Sequence, residues 1–234
     1  MSKLGIIALL IILTGCVSVS IEHINSNIAT TMVLVELKKD DVRQNAGSAT
    51  LIGCEFVYTG LNDYHYVLKF LSAKHVMIDM TTDKELIGVV RFVDGSKYVI
   101  DGVILHEYYD CAYFTAKAEK AHEPILWESS EPKLLEQVFS AGWPAGEIPV
   151  ITDGIINFNT NNIDPNTWSC TASAFFGHSG GAVVRKSTGK LLGMTRSILP
   201  VSKPPGYLGY VQFFVPISYF DGWLKEVSRE RTHK

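Results

Sequence analysis

The chain has 234 residues, of which 47% are hydrophobic and 19% are charged, so it can bury a sizeable core and is not disordered overall. The formal net charge of -3 implies no basic face, which argues against nucleic-acid binding. The cysteines lack the spacing of metal ligands, so we expect no structural zinc. The chemistry inferred below requires no cofactor.

The N-terminus is a short apolar segment from Leu4 to Leu13, preceded by one basic residue. It has the length of a signal-peptide hydrophobic region and is too short for a membrane span, which needs about 20 residues. The sequence Leu13-Thr-Gly-Cys16 resembles the lipobox at which bacterial lipoproteins are cleaved and lipidated on the cysteine. An uncleaved anchor and an ordinary secretory signal are the alternatives.

The lipobox predicts the organisation of the chain. Residues 1–16 are then a lipoprotein signal peptide with lipid on Cys16, residues 17–27 a tether, and residues 28–234 the folded domain. Acyl chains would hold the protein at a membrane. Because Val17 is not aspartate, the resemblance to enterobacterial lipoproteins implies the periplasmic face of the outer membrane.

After the tether, short β-rich runs are separated by turn signals, which is typical of an all-β barrel or sandwich. Asp94-Gly95 between two such runs predicts a hairpin. The predicted strands of the first half are 31–37, 46–52, 53–58, 64–71, 86–93, 97–100, 103–105 and 111–115.

A charged, proline-containing stretch at about 117–134 predicts a connection between two halves. Only residues 218–229 indicate a helix, with Ser218 as its N-cap. The predicted strands of the second half are 137–141, 154–158, 182–185, 190–195 and 210–216, with a turn at 142–146 and a polar loop at 159–167.

The most informative segment is Phe176-Gly-His-Ser-Gly-Gly-Ala-Val-Val184. A serine nucleophile needs an exposed hydroxyl and nearby N–H groups that can hold an oxyanion, and the glycines permit the required turn. A β-like run follows, whereas the nucleophile elbow of α/β-hydrolases precedes a helix. The alternative is that Ser-Gly-Gly in this segment is an ordinary turn of a β protein with no catalytic role.

Two further segments resemble the trypsin-like serine proteases. His75 in Leu71-Ser-Ala-Lys-His-Val76 is similar to the segment that places the general base, and Asp110 before Cys-Ala-Tyr-Phe114 to the one that places the acid. The order His, Asp, Ser is that of the chymotrypsin type. The resemblance implies a triad of His75, Asp110 and Ser179, with an oxyanion hole from the N–H groups of Gly177 and Ser179.

The resemblance extends over about residues 47–223 and is closest to the bacterial Deg/HtrA branch. It implies two six-stranded antiparallel β-barrels at about 28–120 and 134–217, and a terminal helix at 218–229. Because few residues follow Ile217, we expect no PDZ domain. The oligomeric state stays open.

Several residues depart from the family pattern or set specificity. Lys74 replaces a small residue; it either points away from His75 or disfavours its protonation. His178 replaces the usual Asp or Asn and is a rival base. The resemblance places Ser173 at the base of the substrate pocket and Thr195 and Arg196 on its wall. Because Ser173 is uncharged, the resemblance implies a substrate with an apolar or small side chain before the scissile bond. The charge of Arg196 would instead favour acidic substrate residues nearby.

With Cys16 lipidated, Cys54, Cys111 and Cys170 cannot all pair, and a Cys54–Cys170 disulfide stays open. The leading prediction is a serine endopeptidase acting on protein or peptide substrates. A catalytically silent protease fold that binds a partner is the first alternative, and an esterase is the second.

Overall fold

A computed structural model describes residues 20–60, 63–159, 166–202 and 205–230. The expected signal peptide, including Cys16, lies outside the described residues, as does most of the polar loop expected at 159–167. Within the described ranges, no helix is long and apolar enough to cross a membrane.

Within the described ranges, twelve strands form two closed antiparallel barrels of six strands each, which confirms the predicted fold class. The first barrel has the strand order β1-β2-β3-β6-β5-β4, and the second has the order β10-β11-β12-β9-β8-β7. The strands are β1 (Met32–Lys39), β2 (Val42–Gly60), β3 (Asp63–Ser72), β4 (Ile87–Arg91), β5 (Lys97–Leu105), β6 (Ala112–Ala118), β7 (Gln137–Gly142), β8 (Val150–Asn159), β9 (Trp168–Cys170), β10 (Ala182–Arg185), β11 (Leu191–Ser202) and β12 (Pro205–Pro216).

Each barrel closes because its first and last strands in the order pair with each other. In the first barrel, β1 pairs with both β2 and β4. The hairpin expected at Asp94-Gly95 joins β4 to β5, and Gly95 has a φ of 86°, which glycine adopts without strain. The two strands predicted at 46–52 and 53–58 are one strand, β2, with an irregularity between Leu51 and Gly53.

The tether prediction is wrong for residues 21–27, which belong to helix α1 (Ile21–Thr31). The Ser20 side chain caps this helix by accepting the N–H of His23 at 3.1 Å. Ile24 and Ile28, one turn apart, are buried in the core. The helix is therefore part of the folded domain.

The part of the chain that the structure describes also contains the helices α2 (Lys74–Met77), α3 (Asp79–Thr82) and α4 (Asp221–Glu230). The C-terminal helix exists but begins later than predicted, because Ile217–Tyr219 forms a 3₁₀ turn and Ser218 is not the N-cap. Leu224 of α4 is fully buried, so the helix docks on the core as its apolar stripe predicts.

The three cysteines of the described residues, Cys54, Cys111 and Cys170, are all free, so the open Cys54–Cys170 pairing is not formed. Cys111 and Cys170 are buried, and burial raises the pKa of both thiols, that of Cys170 to about 11. Both therefore stay protonated and pack as small apolar side chains.

Candidate active site

A cleft of about 970 Å³ lies where the two barrels meet, and all the candidate site residues of the folded domain except Ser173 line it. The first barrel contributes His75 and Asp110, and the second contributes Ser179, Thr195 and Arg196. Among the residues that the structure describes, no group of three or more histidine, cysteine, aspartate or glutamate side chains could hold a metal ion.

His75 and Asp110 are joined by two hydrogen bonds. The imidazole Nδ1 of His75 lies 2.7 Å from Oδ2 of Asp110, and the main-chain N–H of His75 donates to Oδ1 at 3.0 Å. The bond to the carboxylate makes Nδ1 a donor, which leaves Nε2 as the unprotonated nitrogen of the neutral ring. The His75 side chain is 48% exposed and that of Asp110 is 19% exposed, so a substrate can reach the imidazole while the carboxylate stays half-buried.

The loop that places Asp110 is held by two side chains whose positions the sequence left open. The ammonium group of Lys74 donates to the main-chain carbonyls of His106 and Glu107, at 2.9 and 3.3 Å. Lys74 thus points away from His75, which was one of the two expectations. The imidazole Nδ1 of His106 accepts the N–H groups of Tyr108 and Tyr109 at 3.0 and 3.1 Å.

The His106 ring is suited to this acceptor role. Burial, and secondarily the charge of Lys74, lower the pKa of His106. The neutral form that results keeps a lone pair on Nδ1 for the loop. Trp223 packs edge-on against the ring at 4.9 Å, which connects α4 to the loop before Asp110.

The loop before β10 carries Ser179. The carbonyls of four consecutive residues of this loop, 176–179, all accept hydrogen bonds. The carbonyl of Phe176 accepts from Ala145 N–H at 2.8 Å, and that of His178 from Gly181 N–H at 2.7 Å. The carbonyls of Gly177 and Ser179 both accept from one residue, Ser48, as described below.

In the four peptide groups to which these carbonyls belong, only two N–H groups have no partner among the described residues. The N–H groups of His178 and Gly180 donate to Phe175 and Thr195, at 3.0 and 2.8 Å. Those of Gly177 and Ser179 do not donate. The C=O and N–H of a trans peptide group point in opposite directions. The bonded carbonyl of Phe176 therefore fixes the N–H of Gly177, and the bonded carbonyl of His178 fixes the N–H of Ser179.

Two glycines make this loop possible. Gly177 and Gly180 have φ values of 100° and 86°, which side chains other than glycine rarely adopt. A Cβ on Gly177 would lie 2.3 Å from the carbonyl oxygen of Trp143, and one on Gly180 would lie 2.1 Å from that of Ser48. The glycines are required for backbone approach as well as for conformation.

The Ser179 hydroxyl donates to the main-chain carbonyl of Arg196 at 3.3 Å, and among the described residues it has no hydrogen bond with His75. The side chain of Arg196 reaches the other end of the site, where its Nε lies 3.5 Å from Oδ2 of Asp110. Arg196 therefore lines the cleft wall as expected, but it also contacts the carboxylate that orients His75.

His178 is buried, with 1% of its surface exposed. Its Nδ1 accepts the N–H of Phe175 at 3.2 Å, which closes the turn before Ser179. Burial lowers the pKa of His178 to about 4, so the ring is neutral at pH 7. A buried ring whose Nδ1 is already bonded is poorly placed to act as a base.

The three residues expected to set specificity have different surroundings. Ser173 does not line the cleft, and its carbonyl accepts the hydroxyl of Thr152 at 2.7 Å. Thr195 lines the cleft but is buried, and its hydroxyl donates to Gln212 at 3.2 Å. The exposed cleft surface is instead largely apolar and aromatic, from residues to which the sequence analysis assigned no role: Tyr108, Phe175, Phe176 and Ile198.

Comparison with known proteins agrees with the two-barrel fold. The sequence profile of the trypsin-like peptidase domain matches residues 56–194. No curated protein matches the chain. The serine endoprotease from Yersinia pestis is similar in structure, with 19% identity and a TM-score of 0.67 over 92% of this chain and 68% of that chain.

The HtrA-type protease AlgW with a tripeptide is also similar, with 19% identity and a TM-score of 0.68 over 88% of this chain and 62% of that chain. At this identity the likeness shows the fold, and the chain spans about two thirds of the length of these proteins. The profile match covers more than half of the chain, and the chain belongs to the family of trypsin-like peptidase domains.

Proposed function

We propose that the protein is a serine endopeptidase in which Ser179 is the nucleophile, His75 the general base and Asp110 the residue that orients it. The observation that supports this most directly is the pair of hydrogen bonds from His75 to Asp110, at 2.7 and 3.0 Å, in the cleft that also contains Ser179. A base held in one tautomer by a hydrogen-bonded, half-buried acid is what activation of a serine hydroxyl requires.

The reaction begins when Ser179 Oγ attacks the carbonyl carbon of the scissile peptide bond and its proton passes to Nε2 of His75. The C–N bond then breaks, the leaving amine takes that proton, and an acyl-enzyme remains on Ser179. Water attacks the ester, again with His75 as base, and releases the carboxylic acid and the free serine. No cofactor enters these steps.

The oxyanion that forms in each step needs donors that are already in place. The N–H groups of Gly177 and Ser179 are suited to this because they are unpartnered among the described residues and their peptide groups are fixed by bonded carbonyls. One such donor is worth about 3 kcal/mol of transition-state stabilisation.

One observation favours the alternative function, a catalytically silent protease fold that binds a partner. The Ser179 hydroxyl donates to Arg196, so it must rotate before it can give its proton to His75. We propose that this is a resting arrangement which substrate binding changes, since rotation about a serine side chain is fast and the imidazole already has its tautomer.

Labelling with a fluorophosphonate probe tests the proposal. The wild-type domain should label, while Ser179→Ala and His75→Ala should lose labelling and peptide hydrolysis by about 10⁴-fold or more. Peptide and ester substrates compared in parallel would distinguish an endopeptidase from an esterase. A folded wild-type domain that neither labels nor cleaves would refute the enzyme and leave the binding module.

We further propose that lipid on Cys16 anchors the domain to the periplasmic face of the outer membrane. Helix α1 begins at Ile21, and a chain extends at most about 3.6 Å per residue, so the domain would lie within about 20 Å of the lipid. Cys16→Ser should release the protein from the membrane fraction. Retention of this variant would contradict the anchor.

A further inference from the structure

Ser48 is a buried serine of β2 whose polar groups are all used, and all but one of its bonds are to the second barrel. Its side chain has no exposed surface. Its Oγ donates to the carbonyl of Gly177 at 2.6 Å and accepts the N–H of Trp143 at 2.8 Å. Its main-chain N–H donates to the carbonyl of Ser179 at 2.8 Å. Its own carbonyl accepts the hydroxyl of Ser72 at 2.7 Å.

These contacts cross between the barrels at the nucleophile. Ser48 belongs to the first barrel, Trp143 follows β7 of the second, and Gly177 and Ser179 lie in the loop before β10. One side chain and one N–H group of Ser48 therefore bind the carbonyls of Gly177 and Ser179, the two residues of the loop whose own N–H groups are free among the described residues.

The side-chain bond matters because Gly177 has no side chain of its own to restrict it. Glycine adopts many backbone conformations, and at a φ of 100° its orientation depends on what binds its peptide groups. Without the Ser48 hydroxyl, the carbonyl of Gly177 loses its donor and the N–H of Trp143 is left buried without an acceptor. The peptide group between Gly177 and His178 would then be held only by the bond from the His178 N–H to Phe175, so the backbone at Gly177 would be less restricted.

We propose that Ser48 is a positioning residue for the oxyanion hole: it holds the Gly177–Ser179 segment so that both free N–H groups stay directed into the cleft. This inference rests on the proposed function. It predicts that loss of the hydroxyl weakens transition-state stabilisation more than substrate binding, because the oxyanion exists only after attack.

The test is Ser48→Ala beside the matched control Ser140→Ala. Ser140 is equally buried, lies on β7, and donates to Gln212 at 3.1 Å without touching the loop. Ser48→Ala should lower kcat about 10- to 100-fold with KM changed less than about 2-fold. Its Ki for a peptidyl boronate, which mimics the tetrahedral state, should rise in proportion. Ser140→Ala should lose stability but keep kcat and Ki.

Hydrogen exchange of residues 176–181 in the same variants gives a readout that needs no activity. Exchange should be faster in Ser48→Ala and unchanged in Ser140→Ala. If the wild type neither labels nor cleaves, the proposed function fails, and exchange alone decides whether Ser48 holds the segment. Equal kcat, Ki and exchange in Ser48→Ala and wild type would overturn the inference.

Discussion

His178 gives a pH dependence of stability that can be worked out from its surroundings. The ring accepts the N–H of Phe175 on Nδ1, while the main-chain N–H of His178 donates to the carbonyl of the same residue at 3.0 Å. Nε2 is buried and has no partner among the described residues. Protonation of Nδ1 would remove the acceptor and place a charge in a site without an anion.

The magnitude follows from the two pKa values. Burial lowers the pKa of His178 from its usual 6.5 to about 4, while the N–H bond from Phe175 acts weakly in the other direction. The unfolded chain therefore binds a proton between pH 6.5 and about 4 that the folded chain does not bind. At about 1.4 kcal/mol per pH unit, a difference of about 2.5 units corresponds to on the order of 3 kcal/mol.

The pKa of His178 is lower in the folded protein than in the unfolded chain, and this sets the direction in which stability changes with pH. The contribution of His178 is fully present above pH 6.5 and is lost progressively as the pH falls towards 4. His178→Asn keeps an amide oxygen that can accept the N–H of Phe175 but has no group that titrates. The free energy of unfolding of this variant should therefore fall less than that of the wild type between pH 7 and 4, by on the order of 3 kcal/mol.

Urea denaturation at half-unit pH steps measures this difference. All other titrating groups are common to both proteins and cancel in the comparison, and the values above pH 7 give the pH-independent cost of the substitution. Parallel stability curves from pH 7 to 4 would refute the reasoning, because they would mean that the His178 ring is protonated without cost in the folded state.

Three further predictions follow from named contacts. Gly180→Ala should cost more than about 3 kcal/mol in thermal unfolding, because of its positive φ and its 2.1 Å approach to a carbonyl oxygen, whereas Gly222→Ala, with open space around it, should cost nothing. Arg185→Met should cost about 3–5 kcal/mol in urea denaturation, because it leaves two half-buried glutamates without their partner; a neutral result would contradict this. Lys74→Met should lower kcat about 10-fold with little change in KM, because two main-chain carbonyls of the loop that carries Asp110 lose the ammonium group that donates to them. An unchanged kcat would mean that the loop is held without Lys74.

The sequence was informative where the signal is local. Asp-Gly at residues 94–95 and the short β-rich runs each predict a feature within a few residues, and the hairpin and most of the predicted strands appear where expected. Strand β9 was missed because Trp168–Cys170 has too few residues to show a period of two. Helix α1 was missed although Ser20 and the spacing of Ile24 and Ile28 were available as signals, because its other residues are largely polar.

The contacts that hold the site could not be predicted because they join residues far apart in sequence. Ser48 binds carbonyls about 130 residues away, and the guanidinium of Arg196 reaches Asp110 from the other barrel. Nothing in the strand pattern around either residue indicates such a partner. Only the register of the strands and the packing of the barrels bring these groups together.

The departures from the family pattern bear on whether the protein is an enzyme or a binding module. Lys74 and His178 are the two departures that favour a binding module, yet each side chain holds part of the site. Lys74 is bonded to the loop before Asp110, and His178 closes the turn before Ser179. Neither side chain blocks the cleft or competes for the serine hydroxyl. The remaining departure from an active arrangement is the bond from Ser179 to Arg196, and one side-chain rotation removes it. Lys74 and His178 therefore argue for a site whose supporting contacts differ from the family pattern, and not for a site that has been lost.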